Sequence, residues 1–130
     1  MRDIYLVNQD GSGLTNLTNT PAFYEANAFW IGSRVAYTRG NQLVAINLAL
    51  DGGGNVYAES EEVIYDQLQP GANPAASFRG ANTHSWIVFQ GANAIQHLDF
   101  GIQPPMLQQL TTPPSGSVDR WSSFSPTDAK

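Results

Sequence analysis

Residues 3–21 read DIYLVNQDGSGLTNLTNTP, and this stretch decides the fold. Residues 3–8 form a short run rich in β-branched and aromatic side chains, as a β-strand requires. The turn sequence QDGSG follows at residues 9–13, where glycine supplies the positive φ that a tight hairpin needs. Residues 14–18 then begin a return strand. The stretch therefore predicts a β-hairpin.

Short predicted strands separated by turn residues continue along the chain. Residues 26–30 predict a strand, Gly32 and Ser33 predict a turn, and residues 34–38 (RVAYT) predict the next strand. No segment shows helical periodicity, and each predicted strand has only about five residues. These features predict an all-β fold.

The strands belong to an internal repeat. IYLVN at residues 4–8 recurs as LVAIN at 43–47 and as IQHLD at 95–99, at offsets of 39 (43 − 4) and 52 (95 − 43) residues. Further series are LTNLT at 14–18, EEVIY at 61–65 and LQQLT at 107–111; NAFW at 27–30, PAASF at 74–78 and RWSSF at 120–124; RVAYTRG at 34–40 and WIVFQGA at 86–92. Periods of about 40 to 50 residues that hold four short strands are typical of β-propeller blades.

Two segments carry a resemblance to a known family. Residues 3–21 resemble the TolB-type propeller repeat, which commonly reads DIYVMNADGSGLRRLTNTP. That family's next segment has the form D-x-x-P-x-W-S-P-D-G. Residues 119–128 (DRWSSFSPTD) are its best copy, where Asp119 and the Ser-Pro pair agree and Phe124 stands for the tryptophan. The resemblance covers the whole chain and is strongest at these two ends.

The resemblance implies a single partial propeller domain over residues 1–130, with blades of four-stranded antiparallel sheet and about 2.75 blades per chain. With strand A innermost and D outermost, the expected division is strands C and D of one blade at 1–20, a second blade at 21–67, a third blade at 68–112, and strand A of the next blade at 113–130.

This division leaves two strands at open edges, and open edges pair readily. The expected edge residues are Ile4, Tyr5, Leu6, Val7, Trp121 and Phe124. Two chains arranged head to tail could exchange these strands and close a six-bladed ring as a homodimer. The alternative is that the chain is a piece of a longer propeller.

Composition limits the partners. The chain has eleven acidic and six basic residues and a formal charge of -5, so it offers no basic stripe for nucleic acid or anionic membranes. It has no cysteine, which excludes disulfides and thiolate metal sites. No apolar signal segment follows Met1. These features do not determine the cellular compartment, although the family resemblance favours the periplasm.

No catalytic, cofactor or metal site is expected. His84 and His97 lack a spacing that would place two ligands on one metal, and no G-x-S-x-G elbow positions a nucleophile. The glycines at 11–13 and 52–54 do not open a helix and predict turns rather than phosphate loops. Residues 51–62 lack the calcium-loop series, and we interpret them as a long loop between strands C and D. We therefore expect that the chain is not an enzyme.

The aromatic residues divide into two groups. We expect one group to fill the space between blades: Tyr5, Phe29, Tyr37, Trp86 and Phe89. A second group lies where loops lead into A strands, at the mouth of the propeller channel. Together with polar neighbours it forms the expected partner-binding rim: Phe23, Tyr24, Glu25, Asn73, Asp119, Arg120 and Trp121. Such a mixed surface suits a protein or peptide partner.

The family resemblance implies a non-enzymatic binding scaffold. Two alternatives remain open at this stage. Similar repeats precede the peptidase domain of prolyl-oligopeptidase-like hydrolases, so the chain could be an accessory or gating propeller. It could also be a self-assembling relic of a larger propeller.

Overall fold

The computed structural model describes residues 2–68, 75–76, 86–91 and 93–119. Every regular element in these ranges is a β-strand and every pairing between strands is antiparallel, which confirms the all-β prediction. The strands are β1 (Tyr5–Leu6), β2 (Thr15–Asn16), β3 (Glu25–Ile31), β4 (Arg34–Arg39), β5 (Gln42–Leu50), β6 (Val56–Tyr65), β7 (Ala75–Ala76), β8 (Trp86–Gly91), β9 (Ala94–Asp99) and β10 (Met106–Gln109). The described residues contain no helix that could span a membrane.

The chain divides into two compact units, Met1–Ile64 and Tyr65–Lys130. The first unit holds the hairpin β1–β2 and a four-stranded meander in the order β3-β4-β5-β6. The second holds a four-stranded sheet in the order β10-β9-β8-β7. Each sheet therefore joins strands that are consecutive in the chain.

The β1–β2 hairpin closes where the sequence predicts it. The Asn8 carbonyl accepts the Gly11 N–H at 2.9 Å, and the Asn8 N–H donates to the Ser12 carbonyl at 2.9 Å. The side chain of Asp10 also stabilises the turn, because its Oδ1 accepts the Ser12 N–H at 2.9 Å. Gly13 has φ +67°, a conformation that strains residues with a Cβ. The strands are shorter than predicted because regular pairing covers only two residues on each side.

The β3–β6 meander uses tight turns between its inner strands. Gly32 and Ser33 join β3 to β4, as predicted, and Gly40 and Asn41 join β4 to β5. Both glycines have positive φ, which two-residue hairpin loops require. The middle of β4 and of β5 is buried at four successive residues, so both faces of these strands are covered.

The core of the first unit lies between the hairpin and one face of the meander. It consists of Ile4, Leu17, Val35, Tyr37, Val44 and Ile46, with Leu6 and Leu48 packed against them. Tyr37 pairs with Val44 across β4 and β5, so the two side chains share a face. Burial of a large apolar side chain contributes about 1.5–3 kcal/mol, so this layer holds the two-stranded hairpin in place.

The expected long loop at residues 51–62 is wrong. Only the segment from Asp51 to Asn55 is a turn, in which Asp51 Oδ1 accepts the N–H groups of Gly53 and Asn55 at 2.8 and 2.9 Å. From Val56 onward the chain is strand β6. The run of glutamates suggested a loop, but charged side chains are tolerated on an exposed edge strand.

The second unit shows alternating burial along β9. Ala94, Gln96 and Leu98 are buried, and the residues between them are half-buried. The end of β10 is tied back to β9, since the Leu110 N–H donates to the Ile95 carbonyl at 2.8 Å. This pattern indicates a sheet that is covered on one face at β9.

The aromatic predictions have mixed outcomes. Tyr37 and Phe89 are buried, as expected for residues packed between layers. Tyr5 is 56% exposed, so its expected interior position is wrong. The residues on either side of it, Ile4 and Leu6, face the meander, and period-two alternation turns Tyr5 outward.

Candidate functional site

A polar network lies at the end of the meander where β3 begins and β4 ends. We call it the Arg39 network: Thr20, Glu25, Tyr37, Arg39 and Glu61. Arg39 is its centre, and its side chain is 11% exposed. Its Nε donates to Glu25 Oε1 at 3.0 Å, and Nη1 and Nη2 donate to the two oxygens of Glu61, each at 3.0 Å. The contact with Glu61 is therefore bidentate, the strongest geometry for this pair.

Strand pairing explains why these side chains meet. Glu25 lies directly opposite Arg39 across β3 and β4, so both project from the same face. Tyr37 precedes Arg39 by two residues and shares that face. Its hydroxyl accepts a hydrogen bond from Arg39 Nη2 at 2.6 Å and donates one to Glu61 at 3.0 Å. The network thereby ties β3, β4 and β6 together.

A β-bulge sets the register at this end of β3. Regular pairing is interrupted between Ala26 and Phe29, where two residues of β3 lie opposite Tyr37 alone. Asn27, in the bulge, has φ +56°. The bulge realigns the start of β3 and brings Glu25 into register with Arg39.

Glu25 has an unusual environment. Its side chain has no exposed surface, and Oε1 accepts hydrogen bonds from both Thr20 Oγ1, at 2.6 Å, and Arg39 Nε. The other oxygen, Oε2, has no hydrogen-bond partner in the described part of the chain. A buried carboxylate in this state depends on Arg39 for its stability.

The network shifts the ionisation of its members. The hydrogen bonds from Arg39 and Tyr37 hold the pKa of Glu61 below its ordinary value, although the partial burial of Glu61 acts to raise it. Burial and the hydrogen bond to Glu61 raise the pKa of the Tyr37 phenol far above that of free tyrosine. The hydrogen bond to Glu61 also raises the pKa of Arg39. All three groups therefore keep their ordinary charge states at neutral pH.

Two exposed aromatic side chains, Phe23 and Tyr24, directly precede Glu25 in the chain, and we call them the aromatic rim; Phe23 contacts Arg39 of the network, and Tyr24 contacts Arg2. Phe23 is 49% exposed and its ring stands 5.1 Å from the Arg39 guanidinium carbon. Tyr24 is 55% exposed and its ring stands 4.8 Å from the guanidinium carbon of Arg2. Cation–π contacts of this kind hold rings in place while their outer faces remain in solvent.

A concavity of about 390 Å³ lies next to the rim and is lined by Arg2, Asp3, Tyr5 and Pro21. Asp3 organises its floor, since its two oxygens accept hydrogen bonds from Asn16 Nδ2 at 2.7 Å and from the Thr20 N–H at 3.3 Å. The loop that carries the aromatic rim is thus anchored to the hairpin on one side and to Glu25 on the other.

The structure places the predicted rim residues in different environments. Tyr24 is exposed as expected, but Glu25 is buried beneath the rim rather than part of its surface. Asp119 lies in the second unit, where it accepts a hydrogen bond from Thr111 Oγ1 and donates its N–H to the Asn93 carbonyl. The remaining predicted rim residues lie outside the described residues: Asn73, Arg120 and Trp121.

The predicted edge residues also divide. Ile4 is buried in the core and Leu6 packs against it, whereas Tyr5 and Val7 are exposed. Trp121 and Phe124 lie outside the described residues, as does His84. His97 is half-buried on β9, and no group of three metal-binding side chains occurs in the ranges that the structure describes.

Sequence reasoning missed the Arg39 network. Arg39 and Glu61 stand 22 positions apart, and no short motif links them. The available signal was an acid and a base at facing ends of two predicted strands, Glu25 and Arg39. That signal is usable only when the strand register is known.

Comparisons with protein-family models, with curated proteins and with solved structures found no match to this chain.

Proposed function

We propose that the chain is a partial β-propeller built from TolB-type repeats. The sequence motif at residues 3–21 supports this, together with two four-stranded sheets whose strands follow chain order. Burial of four successive residues in β4 and in β5 also supports it, because the central strands of a blade are buried. The β1–β2 hairpin lies on one face of the meander, as two strands of a preceding blade would.

We further propose that the protein is a non-enzymatic binding scaffold for a protein or peptide partner. The observation that carries this proposal is the exposed aromatic rim, in which Phe23 contacts Arg39 of the buried network and Tyr24 contacts Arg2. Rigid aromatic side chains give large contact area at low cost in conformational entropy and are enriched in binding hot spots. The Arg39 network has the features of a support, since its guanidinium donates four hydrogen bonds to groups within the chain.

A displayed random-peptide library tests the binding function. Peptides selected on the wild-type chain are measured against the double variant Phe23→Ser/Tyr24→Ser and against a matched control, Leu50→Ser/Tyr57→Ser, which removes two exposed apolar side chains elsewhere in the first unit. We expect affinity to fall about tenfold or more for the rim variant alone. Equal binding by the wild type and both variants would refute the rim as the binding surface.

We also propose that a second copy of the chain pairs with the open edge of β1. The Leu17 N–H donates to the Ile4 carbonyl at 2.8 Å, so by antiparallel alternation the N–H and C=O of Tyr5 point away from β2. A two-stranded sheet is marginal alone and gains from a third strand. Residues 119–128 resemble the A strand that this edge would receive.

Light scattering coupled to size exclusion tests the pairing. We expect a mass of twice 14.1 kDa for the wild type. Tyr5→Pro removes the outward N–H and should give a monomer, whereas Tyr5→Ala keeps that N–H and should remain dimeric. A monomeric wild type would refute the proposal.

A further inference from the structure

Arg2 differs from the other described arginines in its charge environment. Arg34 and Arg39 both form ion pairs with glutamates. In the described ranges no carboxylate lies within ion-pair distance of the Arg2 guanidinium. Acidic residues outnumber basic ones by eleven to six in this chain, so most arginines would be expected to have an acidic partner.

The acid next to Arg2 in the sequence is engaged elsewhere. Asp3 also lines the concavity, but its oxygens accept hydrogen bonds from Asn16 and from the Thr20 backbone. Those bonds hold the hairpin and the rim loop together. Asp3 therefore shapes the concavity and places a second, negative charge at its lining, but it forms no ion pair with Arg2.

Arg2 is also held in position. Its carbonyl accepts the Glu25 N–H at 3.1 Å, and Arg2 forms an isolated parallel bridge with Tyr24 at the start of β3. Its guanidinium carbon stands 4.8 Å from the centroid of the Tyr24 ring. A guanidinium on an aromatic face keeps the N–H groups at its edge free, in a fork that matches a carboxylate. The contact with Tyr24 and the backbone bonds of Arg2 thus restrain this fork before any ligand arrives.

We propose that this concavity binds a carboxylate of a peptide partner, with Arg2 as the bidentate donor. The inference rests on the proposed binding function and names the chemistry that its surface recognises. Tyr5 and Pro21 provide apolar walls beside Arg2 for the side chain next to the carboxylate. A volume of about 390 Å³ is at the low end for ligand sites and suits one or two residues. The carboxylate is supplied either by a peptide C-terminus or by an internal acidic side chain.

Nuclear magnetic resonance titration of the full chain, labelled with nitrogen-15, tests this with four short probes. Acetyl-Leu-Phe is used as the free acid and as the amide, and acetyl-Leu-Glu-Leu-amide is used beside its Gln counterpart. We expect a charged probe to shift the resonances of Arg2, Asp3, Tyr5 and Tyr24. Its affinity should be at least about fivefold higher than that of its neutral counterpart. The free acid or the Glu peptide, whichever shows this difference, identifies the source.

Arg2→Gln removes the charge and keeps a shorter, polar side chain, and Arg34→Gln is the matched control in the same unit. We expect the preference for the charged probe to disappear in Arg2→Gln and to persist in Arg34→Gln. Equal binding of charged and neutral probes at the rim would overturn the carboxylate site while leaving the binding scaffold intact. Probes that shift no rim resonance in either form would overturn the carboxylate site and also contradict the proposed binding function.

Discussion

Arg39→Met tests whether the Arg39 network is a buried structural support. Methionine keeps most of the aliphatic length of arginine and removes the cation. Glu25, whose side chain has no exposed surface, then loses its charged partner and keeps only the hydrogen bond from Thr20. The Tyr37 hydroxyl loses a donor at the same time. We expect a large loss of stability, because the substitution leaves an uncompensated charge in the interior.

The magnitude follows from the burial of the two partners. Breaking a buried ion pair by removal of one partner costs about 3–5 kcal/mol, against a total folding stability of about 5–15 kcal/mol for a domain. The contact with Glu61 adds little, since that side chain is half-exposed and exposed pairs contribute about 0–1 kcal/mol. At about 4 °C per kcal/mol, Tm should fall by about 12–20 °C.

Urea unfolding followed by tryptophan fluorescence and circular dichroism, at fixed protein concentration, measures this loss. The control is Arg34→Met, which breaks the pair with Glu62, a residue 66% exposed, and should cost less than about 1 kcal/mol. The double variant Glu25→Leu/Arg39→Met should recover stability relative to Arg39→Met, because it removes both buried charges. A cost for Arg39→Met no greater than that of Arg34→Met would refute the reasoning.

Three further predictions concern ionisation and the hairpin turn. The free energy of unfolding should fall above about pH 10, because the native state retains the Tyr37 proton that the unfolded state releases, and Tyr37→Phe should reduce this fall in urea titrations across pH. At acid pH, the lowered pKa of Glu61 gives stability that is present above about pH 4.3 and is lost as the pH falls. Glu61→Gln should therefore reduce the acid-side dependence of the free energy of unfolding on pH in the same titrations. Gly13→Ala should cost about 1–2 kcal/mol in urea unfolding, because φ is +67° and the new Cβ would lie 2.7 Å from Asn8 Nδ2, whereas Gly52→Ala meets no atom within 4 Å and should cost less than about 0.5 kcal/mol.

Local sequence signals were sufficient for the elements that short-range physics determines. The turn at Gly32 and Ser33 could be predicted because a two-residue hairpin loop needs positive φ, and the structure has it there. The turn at residues 9–13 was predicted from glycine's access to positive φ, and Gly11 and Gly13 both have it. Strand β6 could not be predicted over its full length, because its glutamates have low strand propensity and only the pairing with β5 makes it a strand.

The burial of Glu25 illustrates what sequence alone could not predict. Its position where a loop leads into a strand placed it at the expected rim, where an acidic residue would be exposed. Its partner, Arg39, lies 14 positions away, and their alignment depends on the bulge at Asn27. A bulge shifts the register by one residue, which exchanges the two faces of a strand. Only the three-dimensional register shows that this acid faces inward.

Two of the strand edges in the first unit, those of β1 and β6, differ in charge, and this difference bears on the proposed pairing with a second copy. β6 is an edge strand of ten residues that carries Glu59, Glu61 and Glu62, and charges on an edge oppose pairing with another chain. β1 carries no charge over Tyr5–Leu6, and the backbone of Tyr5 faces outward. A second copy that approached β6 would meet repulsion between like charges, since the whole chain is acidic. The proposed pairing is therefore expected at β1 rather than at β6, and charge-neutralising substitutions on β6 should open a second mode of association.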